Sequence, residues 1–163
     1  MAFTASTTNI LNEIRTQIGG TVTDGTTTLT WKWKLEGPPL RHLEEQTDYP
    51  ALVLEPGDTE GEESASQIML DLPVMHYVII KASRMRDTGA ASAKAYETVR
   101  LFGEAALTTL MDSGNRLGGS IVDDRNLTSF GVDYATTEEV IGDGLLVYAF
   151  GITYTYYSDQ TQP

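Results

Sequence analysis

The sequence predicts an α+β domain: a largely antiparallel or mixed sheet of about five strands, with one long and one short helix packed on one face. Three observations carry this. The stretch Phe150-Gly-Ile-Thr-Tyr-Thr-Tyr-Tyr157 alternates as a half-buried strand does, with Phe150, Ile152, Tyr154 and Tyr156 on one face and Gly151, Thr153 and Thr155 on the other. Between Ala90 and Asp112, Tyr96, Val99, Phe102, Ala106, Leu107 and Leu110 recur at the helical spacing, opposite Lys94, Glu97, Arg100 and Glu104. Several further alternating runs are bounded by glycine and proline.

The elements follow in order. Thr8 to Ile18 predicts a short helix with Ile10, Leu11, Ile14 and Ile18 on one face, stopped by Gly19-Gly20. Asp24-Gly25 marks a turn. Thr28 to Leu35 predicts one strand, with Leu29, Trp31, Trp33 and Leu35 on its dry face and Thr28, Thr30, Lys32 and Lys34 on its wet face, ended by Gly37-Pro38-Pro39. Leu40 to Asp48 reads as polar and irregular. Tyr49 to Glu55 is a second strand, with Pro50 tolerable at its start or on an edge. The acidic run Glu55-Pro-Gly-Asp-Thr-Glu-Gly-Glu-Glu63 is too charged for a core, so 55–66 is expected to be a mobile solvated loop.

Gln67 to Ser83 is a long extended run, with Pro73 expected to break it. Beyond Pro73, Val78 and Ile80 lie on one side and Met75, Tyr77 and Ile79 on the other. Both faces being apolar, Met75, Tyr77 and Ile79 are candidate contacts to a neighbouring subunit. The long helix over 90–112 stops at Ser113-Gly114, and strands follow around Ser129–Tyr134 and Leu145–Tyr157, the second preceded by the turn Gly142-Asp143-Gly144. The strands before the long helix are expected to meander and the last two to form a hairpin, all within a single domain over 1–163.

Composition narrows the chemistry. With no cysteine, disulfides and thiolate metal sites are excluded. The net charge of −12 disfavours a general nucleic-acid binder, which needs a basic footprint, while an acidic surface by itself maintains solubility. The start of the sequence has no basic segment followed by an apolar one, and no run approaches a membrane span, so a protein used without export is expected.

No catalytic, cofactor or metal set emerges. His42 lies in a polar stretch and His76 in an apolar strand, and no His-x-x-x-His pair exists. Asp58, Glu60, Glu62 and Glu63 lack the spacing of a calcium loop. Asp123 and Asp124 would point opposite ways in a strand. Gly114-Asn-Arg-Leu-Gly-Gly119 follows a helix, whereas a phosphate loop precedes one. Trp31 and Trp33 alternate with Lys32 and Lys34, which separates any stacking surface from its charge and favours a core or interface role.

Four stretches together resemble the tail terminator proteins of tailed bacteriophages. They are a short N-terminal helix ending in Ile18-Gly19-Gly20, the strand Tyr49-Pro-Ala-Leu-Val-Leu54, a long helix leading into Leu117-Gly-Gly-Ser-Ile-Val122, and the closing Val147-Tyr-Ala-Phe-Gly-Ile-Thr-Tyr-Thr-Tyr156. The Trp31 to Lys34 strand and the length of the 57–63 segment lie outside that pattern. The resemblance implies a non-enzymatic virion protein without cofactor or membrane, assembled in the host cytoplasm as a hexameric ring. Such a ring sits on the last ring of the tail tube protein, stops tube polymerisation and meets the head-neck connector protein. DNA passes through its lumen without specific binding, which an acidic wall favours. On this reading Glu55, Asp58, Glu60, Glu62 and Glu63 are candidate partner contacts, and Glu44 and Glu45 candidate lumen acids. The alternatives are another neck component (a head-closure or connector-adaptor protein), a tail tube protein, or a metal-dependent hydrolase using Asp58, Glu60, Asp123 and Asp124.

Overall fold

Hydrophobic periodicity sets the layers, and the computed structural model describes them over residues 7–23, 25, 27–38, 49–63, 67–81, 89–112, 124–140 and 144–159. The order is α1 (Thr7–Ile18), β1 (Thr21–Thr23), β2 (Thr28–Thr30), β3 (Trp33–Glu36), β4 (Ala51–Pro56), β5 (Glu60–Glu63), β6 (Gln67–Lys81), α2 (Gly89–Met111), β7 (Asp124–Val132), α3 (Tyr134–Val140) and β8 (Leu145–Asp159). β1 and β2 form a small hairpin. The main sheet is six-stranded in the order β3-β4-β6-β8-β7, with β5 pairing β6. It is mixed: β3 runs parallel to β4, and the other pairs are antiparallel. The fold is α+β, as the sequence predicts.

One face of this sheet meets α1 and α2. The buried layer takes Ile10, Leu11, Ile14 and Ile18 from α1 and Val99, Phe102, Ala106, Leu107 and Leu110 from α2. Against them lie the alternate sheet positions Leu72, Val74, Val78 and Ile80 of β6, and Leu146, Tyr148, Phe150, Ile152, Tyr154 and Tyr156 of β8. The alternation read from the sequence at 150–157 therefore holds. Gly103, inside α2, lies directly on Tyr148.

Basic side chains from the sheet finish both α1 and α2. Lys34 Nζ donates to the Arg15 carbonyl in the last turn of α1 at 3.1 Å, and burial lowers its pKa. The Arg125 guanidinium donates to the carbonyls of Leu110 and, at 2.9 Å, Asp112. Each places positive charge at the negative end of a helix dipole. Replacing Arg125 with methionine is expected to lower stability by about 1 kcal/mol, read by urea denaturation.

Several expectations need correction. Thr28 to Leu35 is not one strand. The Trp31 amide donates to Gly20 and the Lys32 amide to Pro50, so the chain passes from the small hairpin to the main sheet between them. Trp31 is buried with the helices, whereas Leu35, two positions along the main-sheet strand from Trp33, packs on the opposite face. Pro73 does not break β6. Its carbonyl accepts from Gly57, just past the end of β4, so its missing N–H falls in the gap between the β4 and β5 pairings and costs a single ladder hydrogen bond where both ladders have stopped. The acidic run is not one loop, because Glu55 and Pro56 end β4 and Glu60–Glu63 pair with Ile68–Asp71 as β5.

Strand β7 begins earlier than predicted and ends at Val132. Asp133 then caps α3, accepting the Thr136 amide at 3.0 Å and the Thr136 hydroxyl at 2.7 Å. β7 and β8 are antiparallel neighbours, but α3 lies between them in sequence. The strands before α2 do not all meander, since β3 and β4 are parallel. Leu40–Asp48, Ser113–Asp123 and Gly142-Asp143 lie outside the described residues.

Candidate functional site

The face of the main sheet opposite α1 and α2 divides in two. At one end Ala51, Val53, Ile79, Leu145 and Val147 form a second buried cluster, with Leu35, Tyr49 and Tyr77 packed on it. Ile79 is fully buried within one chain, which removes it as a direct contact to another subunit, while Met75 and Tyr77 remain half-buried. Burial, followed by the charges of Glu55 and Asp133, raises the Tyr77 pKa.

Toward the other end the same face turns polar and acidic. Register aligns Glu60 with Asp71, Asp71 with Thr155, and Thr155 with Asp124, so one row crosses β5, β6, β8 and β7. The Thr155 hydroxyl donates to Asp71 at 2.5 Å. Glu60 and Asp124 are exposed at the two ends of the row. Next to it, Pro73, Thr153 and Asn126 form a neutral row, and Glu55, Met75, Gly151 and Ser129 the one after. These three rows contain no lysine or arginine. Gly151 is glycine for a local reason: a β-carbon would stand 2.6 Å from Thr128 Oγ1 and 3.0 Å from Met75 Sδ.

The geometry weighs against a shared metal ion. Glu60 and Asp124 are three strand spacings apart, roughly 14 Å. Among the described residues no group of three or more potential ligands could hold a metal ion. Asp58 is exposed, between β4 and β5. Glu62 and Glu63 belong to β5, paired with Met69 and Ile68. Glu44, Glu45, His42 and Asp123 lie outside the described residues.

His76 is fully buried on the helix side. Its ring stacks on Phe150 at 4.5 Å between centroids. Nδ1 lies 3.1 Å from the Phe150 carbonyl and Nε2 lies 3.0 Å from the Tyr154 hydroxyl. A neutral ring with the proton on Nδ1 donates to the carbonyl and accepts from the tyrosine, which satisfies both nitrogens. Burial holds its pKa down at about 4 and raises that of Tyr154. This is a structural histidine in the core.

The two ends of the sheet complete the surface. Trp33 on β3 is 40% exposed; Phe130 on β7 and Tyr134 just after it are 62% and 61% exposed. Tyr134 leans on Tyr96 of α2, with centroids 5.6 Å apart. Sequence reasoning missed Asp71 and Phe130. For Asp71 a signal existed, because it alternates with Leu70 and Leu72 and must face away from them. Among the described residues no helix is long and apolar enough to cross a membrane. No protein-family model matches the chain, and no curated protein matches its sequence.

Proposed function

We propose that this chain is a structural subunit of a phage tail, forming a hexameric ring at the head-proximal end of the tail tube. The ring ends tube polymerisation and joins the tail to the head-neck connector. The observation that carries the reading is the acidic sheet face, with Glu60, Asp71 and Asp124 in one row and no base in the rows beside it. Turned toward a central channel, this face is the lumen wall. Carboxylates on such a wall repel DNA phosphates over about a Debye length, roughly 8 Å in physiological salt, so DNA slides past without adhering. The order of helices and strands that resembles tail terminators supports the same assignment. The 57–59 segment, with exposed Asp58 between the paired strands β4 and β5, is the proposed contact to a neighbouring tail or neck protein.

Native mass spectrometry of the purified chain, with electron microscopy of tails, tests the reading. Single rings, found at the head-proximal end of tails, are the expected result. Long tubes of this chain alone would identify a tube protein instead. A monomer at every concentration, absent from tails, overturns the proposal. Changing exposed Glu60 and Asp124 to lysine together should leave the ring intact while making it retain DNA, with retention falling steeply as salt rises. Normal infectivity of that variant would count against an electrostatic role for the wall.

A further inference from the structure

Resting on the reading of the chain as a ring subunit, we propose that adjacent copies join head to tail through the two ends of the main sheet. The β7 end of one copy, with Phe130 and Tyr134, meets the β3 end of the next, with Trp33. Among the described residues the large exposed apolar side chains are Trp33, Leu101, Phe130 and Tyr134, and all but Leu101 lie at the ends of the sheet. Large aromatics are the side chains that anchor protein contacts, and β3 and β7 are the terminal strands of the main sheet among the described residues.

The two ends are complementary. Trp33 is in register with Ala51, on the sheet face opposite the helices. Phe130 is in register with Phe150, on the helix side. When the β7 end of one copy abuts the β3 end of the next, one aromatic covers the seam on each face. Charge favours the same pairing. Exposed Lys32 adjoins Trp33, and half-buried Asp133, whose amide donates to Val147, stands just beyond β7 at the sheet level that Trp33 occupies through Ala51, Ile79 and Val147. Among the described residues, Arg125 turns inward onto the carbonyls at the end of α2, Lys34 donates to the Arg15 carbonyl, and Glu36 lies 3.8 Å from Arg15. In a chain of net charge −12, meeting unlike ends avoids setting one acidic β7 end against another.

An isologous contact through either end would leave the other aromatic uncovered. A heterologous contact uses both, and each added copy presents a free end until rotation closes the ring.

The test uses Trp33→Asp and Phe130→Asp, each alone and mixed, by native mass spectrometry, with circular dichroism melting to check folding. Each variant alone should be monomeric where the unaltered chain forms rings. Mixed, they should give a heterodimer and nothing larger, since one intact junction remains between them. Lys32→Glu, at an exposed side chain, should weaken assembly several-fold without altering packing, and unchanged assembly would count against the proposal. Self-association of either variant alone overturns the head-to-tail junction. Rings formed by both variants leave the ring reading standing and remove this contact. An unaltered chain that stays monomeric removes both.

Discussion

Replacing Gly103 with alanine is expected to destabilise the protein by about 3 kcal/mol, as measured by urea denaturation. On an isolated helix the same change would stabilise by about 1 kcal/mol, because glycine is a poor helix former. Here the sign reverses. A β-carbon at Gly103 would overlap the Tyr148 ring and stand 2.8 Å from Tyr148 Cβ. Those ring atoms lie at the root of a fully buried side chain and cannot swing aside as a flexible chain end would. To accommodate the methyl group, α2 must lift off the sheet along the line where Phe102 and Ala106 are also buried. Thr108→Ala, at an exposed position of the same helix, serves as the control and should be near neutral or slightly stabilising. A Gly103→Ala protein as stable as the unaltered one would show that the contact between α2 and Tyr148 is looser than described.

Acidification should produce the second large effect, through His76. Its pKa is about 4 in the folded protein, against an ordinary value of 6.5. Because the folded value is depressed, the unfolded chain takes up the proton first. Stability is complete above pH 6.5 and is lost as pH falls toward 4, by roughly 3 kcal/mol in total. The groups facing the ring are the backbone of Phe150 and Val74 and the Tyr154 hydroxyl, with the Arg125 charge acting on Tyr154. None offers a carboxylate to stabilise an imidazolium. A double change, His76→Phe with Tyr154→Phe, removes the titrating group and its hydroxyl partner together, leaving neither unpaired. Its melting temperature should fall less between pH 7 and pH 4.5 than that of the unaltered protein. Equal slopes would assign the acid sensitivity to other groups.

How much was legible in the sequence depended on the range of the information. Local periodicity sufficed for α1, α2 and the alternation at Phe150 to Tyr156, because one chain segment carries the whole signal. Trp31 and Trp33 share a parity in sequence, yet the chain changes sheets between them, and no alternation encodes that step. The effect of Pro73 depended on what lay beside it, and the gap between β4 and β5 is a property of three strands together. The acidic row was the least legible. Asp71 and Thr155 are separated by 84 positions, so only strand register brings them together. The candidate sites at Glu60 and Asp124 could be named one by one, but their membership of a single row could not.

The pairing of β6 with β8 also has a kinetic consequence. Its partners run from Lys81 with Leu145 to Gln67 with Asp159, separations of 64 (145 − 81) to 92 (159 − 67) positions. The central ladder of the sheet therefore forms only after a long stretch of chain has closed on itself, an entropic cost met before its hydrogen bonds can repay it. On the ribosome the difficulty is sharper. β8 is made after every other strand described, yet it belongs between β6 and β7. Until it emerges, the apolar edge of β6 is open to strands of other nascent chains. Stalled or truncated synthesis before Leu145 would release a sheet missing its middle, a species prone to aggregate.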